Sequence, residues 1–140
     1  MTIMDRFLSF YQKLGSDELS ALPTIYSDDV EFVDPVTQHR GIASVENYFA
    51  RLLKNCNDCT FTIRSHVVEG AKAYVDWQMT FAHPKLRRGK PIPVDGFSVL
   101  DFRNDKICRQ RDYYDMGAMV YEHVPLLGGF ISGLRRRMAA

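Results

Sequence analysis

Between Ala73 and Phe81 the chain alternates without interruption: Ala73, Val75, Trp77, Met79 and Phe81 take turns with Tyr74, Asp76, Gln78 and Thr80. Successive side chains of a strand point to opposite faces, so this run predicts a β-strand with one buried face. Such a face needs cover. Near the start of the chain Ile3, Phe7, Phe10 and Leu14 recur at intervals of three and four, which predicts an amphipathic helix over residues 2–14 closed by Gly15.

The same reading extends along the chain. Ser16-Asp17-Glu18 ahead of Leu19, Leu22 and Tyr26 suggests a second helix over about residues 17–26, with Pro23 inside it. The period then becomes two: Val30, Phe32 and Asp34 point one way, Glu31 and Val33 the other, and Pro35 ends the strand for want of an N–H. Gly41 opens a third helix with the stripe Ile42, Val45, Phe49 and Leu52, running to about Asn55. Residues 61–69 read as a strand turning at Glu69-Gly70, residues 83–93 as a loop rich in Pro, Lys and Arg, and residues 94–102 and 106–114 as a hairpin across Arg103-Asn104-Asp105. Short connections make the last four strands mainly antiparallel, an α+β architecture. A twisted sheet with helices on one face leaves a pocket between them, and function is expected on that inner face.

A chain of 140 residues, 46% hydrophobic and 25% charged, suits one globular domain. Eighteen Lys and Arg against seventeen Asp and Glu leave a net charge of +1, which argues against a nucleic-acid partner. Asp5, Arg6, Gln12 and Lys13 interrupt the first fifteen residues as no secretory signal would be interrupted, and no run reaches the roughly 20 apolar residues of a membrane span. Three cysteines fit a reducing compartment, so the cytoplasm is the expected location. Without a Gly-rich dinucleotide fingerprint or a P-loop, no cofactor is expected. No metal site is expected from His39, His66, His83 and His123, which share no helical spacing. Cys56-Asn57-Asp58-Cys59 follows a predicted helix C-terminus, where the dipole opposes a thiolate, and reads as structural.

The run Tyr26-Ser27-Asp28-Asp29-Val30-Glu31-Phe32-Val33-Asp34-Pro35, then Gly41, Asp105-Lys106-Ile107 and Arg111-Asp112-Tyr113-Tyr114-Asp115, gives residues 2–116 their likeness to a known family. The chain resembles the nuclear transport factor 2-like superfamily, in its ketosteroid isomerase and SnoaL-like polyketide cyclase branch. The resemblance implies a cone-shaped, curved, mixed but mainly antiparallel sheet packed on three N-terminal helices, over residues 1–120, with residues 121–140 as an apolar and basic tail. It also implies a homodimer and cofactor-independent proton transfer, of isomerase or cyclase type, on a hydrophobic carbonyl compound held in the cone. Because the scaffold also serves plain binding proteins, a non-catalytic small-ligand or accessory module is the alternative.

In similar ketosteroid isomerases the general base is the Asp of a Val-Glu-Asp-Pro-Val segment, which Val33-Asp34-Pro35-Val36 matches. Asp34 is therefore a candidate base, with capping of the turn before Pro35 as its other reading. Those enzymes hold the enolate oxygen with a protonated Asp and a Tyr. Asp95 stands two residues upstream of the matching Asp position, and the helix-one Tyr position falls on Phe10, with Tyr11 about 100° further round the helix. On the last strand Cys108, Gln110, Asp112 and Tyr114 share a face that the resemblance turns toward the cavity, where Asp112 and Tyr114 supply a carboxyl and a phenol; pairing of Asp112 with an arginine is the other reading. Phe32, Phe49, Trp77 and Phe97 are core residues or shape the pocket, and His83 is a possible proton carrier at its mouth. The tail, from Val124 to Ile131 apolar and then Arg135-Arg136-Arg137, covers the cavity, joins a second subunit or lies weakly on an anionic membrane surface. Burial of Leu126, Leu127, Phe130 and Ile131 is expected, in broken turns because of Gly128, Gly129 and Gly133.

Overall fold

Thr2 sets the first helix. Its hydroxyl accepts from the Asp5 N–H at 3.1 Å while its own N–H donates to the Asp5 carboxylate at 3.0 Å, a reciprocal cap that starts α1, Ile3–Gln12. A computed structural model describes residues 1–14, 16–55, 59–82, 87–115 and 127–140. The predicted second helix is a 3₁₀ segment, Ser16–Ala21, followed by a single turn, α2, Leu22–Ile25. Pro23 explains the break, since proline fits only the first turn of a helix and so a new one begins there.

Strand β1, Tyr26–Val33, buries Val30 and Phe32 as its alternation predicts. After the Pro35 turn comes β2, Gln38–Arg40, which the sequence reading does not contain; it pairs antiparallel with β1, His39 opposite Phe32. Helix α3, Ile42–Asn55, then leads into β3, Thr60–Glu69, and β4, Lys72–Phe81, whose five inward residues are all buried. Strands β5, Ile92–Arg103, and β6, Lys106–Tyr114, meet in a hairpin turning at Asn104 and Asp105, both left-handed (φ 52° and 61°), the turn that matches the twist of paired strands.

The sheet order is β2-β1-β6-β5-β4-β3, antiparallel except for the parallel β1–β6 pair. This is the mixed, mainly antiparallel α+β fold expected. Phe7, Phe10 and Tyr11 of α1 and Val45 and Phe49 of α3 join the sheet's inner residues in one core. Beyond it lies α4, Leu127–Ala139, an unbroken helix rather than broken turns. Leu, Ile, Arg and Met are good helix formers and outweigh its three glycines. Phe130, Leu134 and Met138 are exposed, so burial of the tail's apolar side chains does not extend to these three; Val124 and Leu126 lie outside the described residues. Among the described residues no helix is long and apolar enough to cross a membrane.

Candidate functional site

Asp112 sits on β6 opposite Ser98 of β5, and both face the helices. Its Oδ1 accepts from the Ser98 hydroxyl at 2.6 Å and from Gln110 Nε2 at 3.0 Å. The Trp77 indole N–H donates to Ser98 Oγ at 2.8 Å, so the serine accepts from the indole and gives its only proton to Asp112. Gly96, opposite Trp77, makes room: a Cβ there would overlap the indole ring.

Gln110, fully buried, carries the network to α1. Tyr26 Oη donates to Gln110 Oε1 at 2.6 Å and Gln110 Nε2 donates to Tyr11 Oη at 3.1 Å. With the Tyr26 proton committed, the 3.0 Å contact between the phenols has Tyr11 as donor, and the three groups close a ring. Burial pushes both phenols well up, so they stay neutral donors.

These groups border a narrow cavity of about 40 Å³ lined by Tyr11, Phe32, Tyr48, Phe49, Trp77 and Asp112, with Leu52, Phe61, Met79 and Tyr114 completing it. Burial pushes the Asp112 carboxyl up to about 6, with a smaller upward push from the Asp34 charge, against the lowering by its Ser98 and Gln110 bonds. Burial likewise raises the phenols of Tyr48 and Tyr114, again with Asp34 adding to it. His39 packs behind Tyr48, ring centroids 4.9 Å apart, with Nδ1 3.1 Å from Ser44 Oγ.

Asp34 faces inward as predicted and is nearly buried, but its Oδ1 accepts from the Val36 and Thr37 N–H groups at 2.8 and 2.9 Å. The turn-capping reading describes its contacts. It is not a lining residue, and it reaches the cavity through its charge. Asp95 is on the outer face, 70% exposed, 3.1 Å from Arg64 and hydrogen-bonded by Gln78. Phe97 is also outside, stacked on Tyr74. Both correct the reading that brings them to the pocket, because Gly96 and Ser98 hold the inward positions of β5. Phe10 is buried edge-on against Tyr11 and Phe49 rather than in the cavity, and Tyr11 is the helix-one residue that lines it. Cys108 is bulged out of register, so Ile107 and Gln110 both face the core and the face shared by Gln110, Asp112 and Tyr114 begins only after it. His83 and Cys56-Asn57-Asp58 lie outside the described residues. Among the described residues no three metal-ligating side chains gather.

Sequence reasoning did not single out Ser98, Tyr26 or Tyr48. Tyr48 carries the clearest available signal, since it stands three residues after Val45 and four before Leu52 on the apolar stripe of the third helix.

A family model for the SnoaL-like domain matches residues 7–110, and the chain belongs to that family. Solved structures share the fold. A protein with a ketosteroid isomerase-like fold from Catenulispora acidiphila, in complex with trimethylamine, is 19% identical over 88% of this chain and 93% of its own, with a TM-score of 0.74. A SnoaL-like polyketide cyclase from Agrobacterium tumefaciens is 17% identical over 85% and 95%, TM-score 0.71. An NTF2-like protein of unknown function from Burkholderia pseudomallei is 13% identical over 84% and 94%, TM-score 0.74. Comparison with curated proteins finds no match.

Proposed function

We propose that the chain catalyses cofactor-independent proton transfer, of isomerase or cyclase type, on a small hydrophobic carbonyl compound, with Asp112 as the proton-transfer group. The observation that carries this reading is a cavity carboxyl poised near 6 among aromatic walls and neutral phenols. A base is most effective with a pKa near the working pH. Both hydrogen bonds to Asp112 fall on Oδ1, which leaves Oδ2 to take a proton from the carbon beside the carbonyl. The electron pair moves onto the carbonyl oxygen, which accepts a hydrogen bond from the phenol of Tyr48 or Tyr114. Return of the proton to another carbon isomerises the substrate; attack of the enolate carbon on a second carbonyl closes a ring, and Asp112 gives its proton to the alkoxide that the attack leaves. None of the described lining residues is cationic, which disfavours an anionic substrate. Homodimeric assembly and a cytoplasmic location belong to the same proposal.

Native mass spectrometry of the purified protein identifies a retained ligand and the assembly, and the carbonyl compounds it points to serve as substrates. Asp112→Asn is expected to lower turnover at least about a hundredfold and Asp34→Asn less than about tenfold. The wild-type rate is expected to rise with pH through about 6, as Asp112 loses its proton. An unchanged rate in Asp112→Asn, or the large loss confined to Asp34→Asn, overturns the assignment and returns the base to Asp34.

The aromatic walls around one carboxyl also favour a second reading, a non-catalytic site for a small amine, which would bind by cation–π contact and ion pairing. The similar Catenulispora acidiphila protein is in complex with trimethylamine. Retention of an amine that Asp112→Asn releases, with no turnover of any carbonyl compound, decides for this reading.

A further inference from the structure

None of the described residues lining the cavity comes from α4, yet the helix carries two features that the chemistry above leaves unused. Phe130, Leu134 and Met138 follow at intervals of four and are 65%, 44% and 85% exposed. Each residue of an α-helix advances about 100°, so these three and half-buried Ile131 occupy an arc of about 100°. Arg137 borders that arc on one side and Arg135 on the other, with Arg136 opposite, and no acidic side chain lies within the helix. The covered side is elsewhere: Gly128 is buried, Ser132 is half-buried, and Arg135 pairs with Asp115 just beyond β6.

We propose that α4 docks on an anionic lipid bilayer. Phe130, Leu134 and Met138 enter the boundary between headgroups and acyl chains, while Arg137 at the open edge of the arc reaches lipid phosphates at headgroup level. Charge selects this occupant. An apolar arc bordered by Arg137, on a helix with three arginines and no acidic side chain, complements a plane of negative charge over an apolar interior, whereas two copies of the helix would bring like charges together. One short helix with three arginines makes the attachment reversible, dependent on the apolar and the basic contribution together.

Flotation of the full chain with vesicles tests this, using phosphatidylcholine alone and an equimolar mixture of phosphatidylcholine and phosphatidylglycerol. The protein is expected to float with the mixed vesicles only, and to be released at about 1 M salt. Phe130→Ser with Leu134→Ser, and separately Arg137→Glu, are each expected to weaken flotation at least about tenfold. Phe130, Leu134 and Arg137 are all exposed, so the melting temperature is expected to stay at the wild-type value, which separates lost docking from lost folding. Absence of flotation with the mixed vesicles, equal flotation with phosphatidylcholine alone, or flotation indifferent to either variant overturns the proposal. A native dimer that the serine pair dissociates, without flotation of the wild type, assigns the stripe to a second copy instead.

Discussion

Asp112 links the site to stability. Its folded-state value of about 6 lies above the ordinary 3.8, so between these values the folded chain holds a proton that the unfolded chain releases. Stability therefore falls as pH rises through that window. Asp112→Asn keeps an acceptor for Ser98 and Gln110 and removes the charge. The expected outcome is a melting temperature above wild type at pH higher than about 7 and no gain below about pH 4, checked by thermal melts at both. Gly96 gives a second test of the site. Gly96→Ala must push the indole aside and strip Ser98 of its donor, at a cost of about 1–3 kcal/mol, visible as a lower melting point and altered tryptophan emission. Parity placed Asp34 on the inner side and the Asp-Pro pair gave the turn-capping reading that its Oδ1 fulfils, but sequence alone did not choose between base and cap, because the groups that occupy Oδ1 are the backbone N–H groups of Val36 and Thr37, which any residue but proline supplies there.

At the scale of elements, α1 and β4 were readable because each has a long, unbroken periodicity that only one structure satisfies. Strand β2 was not, since three residues hold too few periods to register. Strand β5 misled for a different reason: its outer row includes Pro93, Phe97 and Val99 while its inner row includes Gly96 and Ser98, so hydrophobic contrast does not distinguish the faces. The register against β4 and β6 settles it. One side chain fastens α1 across elements. Arg6 donates to the Thr24 carbonyl at 3.1 Å and, through Nη2, to the Asp105 carbonyl at 2.7 Å, joining the first helix to the β5–β6 turn. Arg6→Ala is expected to destabilise by roughly 1–3 kcal/mol in denaturant melts, because the backbone carbonyls of Met1, Thr24 and Asp105 lose a charged donor.

For the whole molecule, the parallel pairing of β1 with β6 sets Tyr26 beside Ile107 and Val33 beside Arg111. Strands β3, β4 and β5 join neighbours in sequence and can pair as soon as they exist, whereas β1 must wait for the last strand, across a loop that takes in most of the chain. During synthesis the ribosome therefore releases a half-finished sheet whose first strand has one free edge, the kind of surface that recruits other chains. Neither Gln110 nor Asp112 has then emerged, so the buried polar network around Asp112 closes only once β6 arrives, with α4 still to follow.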